Sequence, residues 1–302
     1  MTTIGSAPLR VGVIGAGRVG AVLAAALRAA GHEIVAVAGE SDASRHRAAE
    51  LLPGVRVEKP SAVARAADLV LLTVPDDMLS NVVTMLADSG ALRAGQYVAH
   101  TSGAHGLAIL EPAARVGARA IALHPAMTFT GTAVDLERLP GCVFGLTAGP
   151  LEHGLAESLV TDLRGRATWV PEEMRTLYHA GLAHGANHLV TLVSEAMGLL
   201  AAAGVDDTAG TLRPLLQAAL DNALANGDAA LTGPIVRGDV RTVSAHVAEI
   251  ARTRPDTLAS YVAMARATLD RAVTDGRVLP IRAQRILEVL DRAEREHRVD
   301  AR

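Results

Sequence analysis

The 302-residue sequence predicts an α/β domain with a doubly wound parallel sheet, followed by an all-helical domain. Short apolar runs alternate with helix-forming segments up to about residue 170. From Pro171 onward strand patterns cease, and long alanine- and leucine-rich segments run to the end. A glycine-rich turn separates the first apolar run from the first helical segment. These observations predict domains of residues 1–170 and 171–302.

Each element of the first domain is predicted from its hydropathy pattern. Strands are short apolar runs that end at glycine, proline or polar residues, and helices are the alanine- and leucine-rich segments between them. The predicted strands span residues 11–14, 32–38, 55–57, 68–74, 97–100, 119–123, 142–146 and 167–170. The predicted helices span residues 21–30, 43–52, 62–67, 78–87 and 109–116. Because strands and helices alternate, we expect parallel crossover connections.

Composition excludes several functional classes. The net charge of −3 and the pI of about 6.4 provide no basic surface for nucleic acid or for an anionic membrane. Cys142 is the only cysteine, which excludes an intrachain disulfide and a multi-cysteine metal site. Residues 1–10 lack the apolar core of a targeting signal, and the apolar stretch at residues 189–205 contains Glu195. The sequence therefore predicts a cytoplasmic protein without a membrane segment.

The glycine-rich turn predicts a dinucleotide site. In such a site the first glycine permits a tight turn, the second admits a pyrophosphate, and the third lets helix and strand pack closely. The helix N-terminus then offers free N–H groups to the phosphates. A glycine motif alone is weak evidence for a dinucleotide site. Here the motif follows a predicted strand and opens a predicted helix, as such a site requires. The predicted cofactor-binding residues of this turn are Gly15, Ala16, Gly17, Arg18, Val19 and Gly20.

The end of the second predicted strand leaves the choice of cofactor open. Glu40 follows the last glycine of the turn by 20 residues, where a carboxylate can accept a hydrogen bond from the ribose 2′-hydroxyl of NAD. Ser41, Arg45 and Arg47 could instead surround the 2′-phosphate of NADP. A third interpretation is that Glu40 and Ser41 simply cap the next helix.

Polar residues follow the next strands. Val74, Pro75 and Asp76 end a buried strand, and they either line the cofactor cleft or form an ordinary turn. Ser102 lies in a small polar loop after the following strand, where its hydroxyl can bind the cofactor or donate to a substrate oxygen. His124 occupies the corresponding place one strand later. On its own, such a histidine is more often structural than catalytic.

Five polar residues interrupt the first helix of the second domain: Tyr178, His179, His184, Asn187 and His188. On an ideal helix His179 and Asn187 lie roughly 12 Å and about 80° apart, so they can border one cleft without touching. His184 and His188 have the spacing of zinc ligands. The glutamate of the H-E-x-x-H motif is absent, and we expect no metal site.

A polar turn at residues 231–239 contains Arg237. Glycine and proline make the turn, and Asp239 can cap the helix that follows. Arg237 has no such local role. Because a guanidinium group pairs well with a carboxylate, Arg237 is a candidate for binding a substrate carboxylate.

Together these motifs resemble a family of bacterial proteins with a Rossmann-like domain and a C-terminal helical domain of unknown function. The family is similar to a superfamily that includes 6-phosphogluconate and 3-hydroxyisobutyrate dehydrogenases, pyrroline-5-carboxylate reductase and ketopantoate reductase. The resemblance implies hydride transfer from NAD(P)H and a homodimer formed through the helical domain. It rests on residues 15–20, 100–103, His124-Pro125 with Phe129, Tyr178 to Ala180 with Asn187, and residues 231–239 with His246.

The sequence departs from the better-known dehydrogenases at the expected proton donor. Those enzymes place a lysine four residues before the helix asparagine, where this chain has Ala183. His179 or Tyr178 could replace the lysine, or the substrate could be an already protonated imine. In relatives that bind NADP, an arginine is expected where this chain has Glu40.

The resulting hypothesis is an NAD(P)H-dependent reductase of a small carbonyl or imine substrate that bears a carboxylate, with ketopantoate as the first candidate. Asn187 would orient the substrate, Ser102 and Arg237 would hold its polar end, and His179 would transfer the proton. NADP is the preferred cofactor and NAD the alternative. The rival hypothesis is a non-catalytic nucleotide sensor that retains the fold.

Overall fold

The structure, a computed structural model, describes residues 7–300, with the side chains of residues 297–300 excepted. Most of the N-terminal stretch in which we predict no targeting signal therefore lies outside the described residues. The chain divides into two compact units. The first ends at Gly185, and the second begins at Ala186. The division falls inside a long helix, whereas the sequence texture changes near residue 170. The two units are described separately below.

Seven strands form one sheet in the first unit, in the order β2-β1-β3-β4-β5-β6-β7. The strands are β1 Arg10–Ile14, β2 Glu33–Ala38, β3 Leu69–Leu72, β4 Tyr97–His100, β5 Arg119–Pro125, β6 Val143–Ala148 and β7 Arg166–Trp169. The first five run parallel, and the register pairs Val11 with Leu69 and Leu69 with Tyr97. The predicted α/β class and its mostly parallel sheet are confirmed.

Helices cover both faces of this sheet. They are α1 Arg18–Ala29, α2 Asp42–Leu51, α3 Pro60–Ala66, α4 Asp76–Asp88, α5 Glu111–Arg115, α6 Val134–Arg138 and α7 His153–Asp162, with 3₁₀ turns at Ala108–Leu110 and Glu172–Met174. Side chains of β1 alternate between the faces: Val11 and Val13 pack in one apolar layer, and Ile14 packs in the other. This alternation fixes which face of the strand each helix covers.

Two details differ from the predicted sheet. β6 runs antiparallel to β5, pairing His124 with Gly145, and only β7 is parallel to β6. The segment predicted as a strand at residues 55–57 forms a single bridge between Val57 and Val37. Because α3 begins at Pro60, this segment has no room to extend into a ladder.

The second unit is helical. It contains the part of α8 (Arg175–Ala202) from Ala186 onward, α9 Thr208–Asn226, α10 Val240–Thr253, α11 Pro255–Thr274 and α12 Pro280–Asp300, with a 3₁₀ turn at Gly227–Ala230. Its apolar core is formed mainly by α10, α11 and α12. On α9, Leu212 is the one buried residue, and several large apolar side chains are exposed. Among the described residues no helix is both long and apolar enough to cross a membrane.

Candidate active site

The glycine turn leaves no room for side chains on the face that meets the sheet. Gly15 has a φ of +105°, a left-handed conformation that favours glycine. The N–H groups of Gly15 and Ala16 donate to the Ala38 carbonyl, which ties the turn to the end of β2. A Cβ at Gly20 would lie 2.2 Å from both the Gly15 oxygen and Thr73 Oγ1. The first and third glycines are therefore required by packing.

The middle glycine faces open space. A Cβ at Gly17 would meet only the Gly15 oxygen, at 3.9 Å. No side chain of the described residues caps α1, so the N–H groups of its first turn, from Arg18 onward, are available to a ligand. An open cradle at the N-terminus of a helix fits the pyrophosphate of a dinucleotide. The predicted cofactor residues Ala16 and Val19 belong to the same turn.

The segment after β3 lies against this turn. A Cβ at Gly15 would lie 2.7 Å from the carbonyl of Thr73 and 2.8 Å from the amide nitrogen of Val74. Thr73 Oγ1 also donates to the Gly15 oxygen at 2.6 Å. Pro75 and Asp76 follow at the exposed N-terminus of α4. The predicted residues after β3 thus border the glycine turn.

At the end of β2, Arg45 is occupied by local partners. Ser41 caps α2 by accepting from the amide of Ser44, as one of the sequence interpretations proposes. The Arg45 guanidinium donates to the Glu40 carbonyl at 2.6 Å and to Asp42 Oδ1 at 2.5 Å. The Glu40 and Arg45 side chains are exposed. Their role toward a cofactor stays a prediction.

Two other arginines meet beside a loop held by a buried carboxylate. Asp135 is fully buried and accepts from the amides of Thr130 and Gly131 at 2.8 and 2.7 Å. At Gly131 a Cβ would lie 2.9 Å from Arg47 Nε and 3.0 Å from Arg18 Cγ. Arg18 begins α1, so both cations lie near the open end of the glycine turn.

After β4, His100 is a structural histidine. Its Nδ1 accepts from the Ser102 amide at 3.1 Å, and Nε2 donates to the Gly106 carbonyl at 2.8 Å. Burial lowers the pKa of His100 to about 4, although the bond to Gly106 acts in the opposite direction. Ser102 is also buried, and its hydroxyl accepts from the amide of His105. His100 therefore shapes the loop that carries Ser102.

Arg175, the first residue of α8, is the charged centre of this region. It is 1% exposed, and its guanidinium donates to the carbonyls of Ser102, His105 and Gly145 at 2.9–3.0 Å. Burial lowers the pKa of this arginine. The cation joins the loop after β4 to β6 and to the start of α8. Sequence analysis missed Arg175, since an arginine in the first turn of a helix usually points into solvent.

A histidine and tyrosine cluster forms around His124 at the end of β5. Tyr178 Oη lies 3.1 Å from His124 Nδ1, and the ring of His179 lies 6.0 Å from that of His124 in an edge-to-face arrangement. Two glycines allow this approach. A Cβ at Gly103 would lie 2.5 Å from His179 Cδ2 and 2.9 Å from His124 Nε2, and one at Gly145 would lie 2.6 Å from Tyr178 Oη.

The surroundings keep His124 and Tyr178 in their neutral forms. Burial lowers the pKa of His124 to about 4, and the positive charge of Arg175 acts in the same direction. Burial raises the pKa of the Tyr178 hydroxyl, although the Arg175 charge opposes that shift. At neutral pH His124 is thus an uncharged imidazole beside a protonated phenol.

The structure brings only part of the predicted catalytic set together. Ser102 and His179 both belong to the region around Arg175 and Gly103. Asn187 and Arg237 are exposed residues of the second unit, and their substrate roles stay predictions. Among the described residues, no group of three or more metal-ligating side chains could hold a metal ion.

Comparison with known protein families and structures agrees with this architecture. Residues 1–125 match the model of a Rossmann-like domain, and residues 142–268 match that of a domain of unknown function, DUF2520. None of the curated proteins compared with the chain matches it.

Three solved structures illustrate the similarity. A candidate NADP oxidoreductase from Bacteroides fragilis is 20% identical with a TM-score of 0.75, covering 87% of this chain and 98% of its own. An imine reductase from Pseudomonas sp. is 19% identical with a TM-score of 0.63, over 90% and 96% of the two chains. A pyrroline-5-carboxylate reductase from Coxiella burnetii is 16% identical with a TM-score of 0.53, over 96% and 98%. At these identities the similarity establishes the fold.

Proposed function

We propose that the chain is an NAD(P)-dependent reductase of a small carbonyl or imine substrate that bears a carboxylate. The observation that carries this proposal is the placement of two features at the same edge of one sheet. An open glycine cradle follows β1, and the cluster of His124, Tyr178 and His179 lies at the ends of β4 and β5. Ligands of doubly wound sheets bind at this edge.

The residues present fit a nicotinamide dinucleotide. The amides of the Gly15–Gly20 turn would hold its pyrophosphate, and Val74 would border the same cleft. NADP is our first choice, because Arg18 and Arg47 converge beside Gly131 and can pair with a phosphate. NAD stays the alternative, as Glu40 can accept from a ribose hydroxyl. When bound, the cofactor supplies a hydride to the substrate carbon.

The side chains around this position would orient the substrate and handle its proton. His179 is half-buried beside Gly103 and would give a proton to the oxygen of a carbonyl substrate. A protonated imine would need no such donor, which accords with Ala183 at the place of the usual lysine. Ser102 would bind the polar end of the substrate, and Asn187 and Arg237 are proposed as further contacts from the sequence alone.

The names of two structural neighbours favour an imine as the substrate. They are an imine reductase and a pyrroline-5-carboxylate reductase, both of which act on a carbon–nitrogen double bond by name. We therefore place cyclic imines that carry a carboxylate ahead of ketopantoate, which follows with other 2-oxo acids.

The test is cofactor oxidation by the full chain with a panel of cyclic imines, 2-oxo acids and 3-oxo acids. We expect one class to oxidise NADPH or NADH, and Gly17→Val to abolish both dinucleotide binding and turnover while the circular-dichroism spectrum stays native. Tight cofactor binding without turnover across the panel would favour the sensor hypothesis. Unchanged binding in Gly17→Val would refute the cradle.

We also propose a homodimer formed through the helical unit. On α9, Leu220 and Leu224 lie one turn apart on the same face and are 45% and 80% exposed, so they form an exposed apolar strip. Light scattering at micromolar concentration should give twice the chain mass. Leu224→Glu should lower this mass, whereas Leu151→Glu should not, because Leu151 is equally exposed but lies in the first unit. A monomeric wild type would refute the dimer.

A further inference from the structure

His124 is enclosed by two consecutive residues of α8. Tyr178 approaches the Nδ1 side of its ring at 3.1 Å, and His179 meets the ring edge-on on the other side. Gly103 and Gly145 flank the cluster, and a Cβ at either position would collide with its rings. The arrangement therefore fixes the ring plane of His124 and assigns a different neighbour to each ring nitrogen.

The hydrogen bond between Tyr178 and His124 can be drawn in two directions. If Nδ1 carried the proton and donated it, the phenolic O–H would need a second acceptor, and no other is found within the described residues. A half-buried donor without a partner costs free energy. The hydroxyl itself stays protonated, because burial raises its pKa. Tyr178 therefore donates to Nδ1, and the imidazole proton is on Nε2.

The other nitrogen opens toward the loop after β4. His124 Nε2 lies 2.9 Å from where a Cβ of Gly103 would be, beside the ring of His179. No hydrogen bond to Nε2 is found within the described residues, and the His124 side chain is partly exposed. A ring N–H in this position is available to a ligand at the ends of β4 and β5.

We propose that Tyr178 is a positioning residue that fixes His124 as its Nε2–H tautomer, and that this N–H donates a hydrogen bond to an oxygen of the substrate. The proposal rests on the proposed reductase function and adds a donor that is distinct from His179. The oxygen is the carbonyl oxygen of an oxo acid or a carboxylate oxygen of a cyclic imine. His124 keeps its proton throughout, so its role is electrostatic rather than that of a general acid.

Arg175 supports this role from the buried side. Its charge and the burial of the ring both disfavour the protonated imidazolium. His179 and His100 act in the same direction, and Asp76 opposes them. An uncharged imidazole keeps Nδ1 free to accept from Tyr178. The structure thus joins a buried cation, a phenol and an imidazole into one arrangement.

His100 provides an internal control. It has the same inferred tautomer, with Nδ1 accepting and Nε2 donating, but both of its partners are backbone groups. Removal of the Tyr178 hydroxyl should therefore alter the tautomer of His124 and leave that of His100 unchanged.

The first measurement is long-range ¹H–¹⁵N NMR of the full chain labelled with ¹⁵N-histidine, with His124→Gln to assign the signals. We expect wild-type His124 to be almost entirely the Nε2–H form at neutral pH. In Tyr178→Phe the Nδ1–H form should rise measurably, toward the minor share that it has in a free histidine, with His100 unaffected. A wild-type His124 in the Nδ1–H form, or a tautomer population that Tyr178→Phe does not change, would overturn the positioning role.

The second measurement uses whichever substrate of the panel is reduced. An oxo-acid carbonyl gains negative charge in the transition state, so for that substrate class we expect His124→Leu to lower kcat by roughly 100-fold. The carboxylate of a cyclic imine gains no charge, so for that class we expect His124→Leu to raise KM with kcat nearly unchanged. His124→Gln retains an N–H donor and should recover about a tenfold share of either loss. Tyr178→Phe should lower kcat by about 3- to 10-fold for an oxo acid, or raise KM by a similar factor for a cyclic imine. Equal activities of His124→Leu and wild type would refute the donor role. If nothing is reduced, the donor role falls with the proposed function, while the tautomer populations still decide what Tyr178 does.

Discussion

The glycine turn after β1 and the cluster around Arg175 lie in the same unit, but they are built in opposite ways. The turn depends on missing side chains: it packs against backbone atoms and the Thr73 hydroxyl, and a single Cβ at Gly20 would collide with two oxygens. The cluster depends on side chains from distant parts of the chain, joined by one buried cation to three carbonyls. The difference teaches that the turn is sensitive to added volume, whereas the cluster is sensitive to lost charge and lost hydrogen bonds.

The largest expected effect comes from adding volume to the turn. Gly20→Val places carbon atoms within 2.2 Å of the Gly15 oxygen and Thr73 Oγ1, so strand and helix must separate. We expect the free energy of unfolding to fall by more than about 4 kcal/mol. Urea denaturation measures this, with Gly17→Ala as the control that should change stability by less than about 1 kcal/mol. Similar stabilities for the two variants would show that the turn tolerates volume.

Loss of the buried cation should be the next largest effect. Arg175→Met keeps most of the side-chain volume but removes the guanidinium hydrogen bonds to three carbonyl oxygens. We expect a loss of about 3 kcal/mol in the free energy of unfolding. Arg93→Met is the control, because the Arg93 guanidinium is bonded mainly near the surface and should cost about 1 kcal/mol. A loss at Arg175 no larger than that at Arg93 would contradict the central role of the cation.

Acid should act on the cluster and leave the turn unaffected. The folded-state pKa of both His100 and His124 is about 4, below the ordinary 6.5, so between these values the unfolded chain binds protons that the folded chain does not. Stability should therefore fall as the pH drops from 6.5 to 4, by up to about 3 kcal/mol for each histidine. Thermal unfolding against pH measures this. His124→Gln should have a shallower slope than wild type, and an identical slope would contradict the shift.

The smallest expected effect concerns Arg47, near the open end of the glycine turn. If Arg47 pairs with a 2′-phosphate, Arg47→Met should weaken NADPH binding by about 1–2 kcal/mol and leave NADH unchanged. Cofactor fluorescence titration measures both affinities. Arg45→Met is the matched control, since Arg45 already donates to Glu40 and Asp42. A larger loss of NADPH affinity in Arg45→Met than in Arg47→Met would instead assign the 2′-phosphate contact to Arg45.

The sequence predicts local features of this protein well, for physical reasons. Most strands of the sheet are short apolar runs bounded by glycine, proline or polar residues, so the α/β class follows from neighbouring residues. The exposed strand β7 has no such run, and helices α6 and α7 are not predicted. The sequence predicts a tight turn at Gly15 and close packing of helix and strand at Gly20, and the structure has both. The reversed direction of β6 is not visible locally, because strand composition does not encode which way a strand runs.

The cluster could not be assembled from the sequence, because its members are distant in the chain. His124 and Tyr178 are separated by 54 residues, and Arg175 and Ser102 by 73. Spacing arguments on one helix identify His179 and Asn187 as candidates but say nothing about what faces them. A buried arginine is recognised only from the carbonyl groups around it. The predicted roles of Asn187, Arg237 and Glu40 stay predictions.

The reversal of β6 has a consequence for how this site can change. Because β6 is antiparallel to β5, the segment between them, residues 126–142, leaves and re-enters the sheet at the same edge. A parallel crossover would have to carry this segment to the opposite edge. The loop with Gly131 and Asp135 therefore remains near Arg18 and Arg47 whatever its length. Insertions there can reshape the wall of the cleft without altering the register of any strand, so this segment can acquire a new specificity while the sheet stays the same.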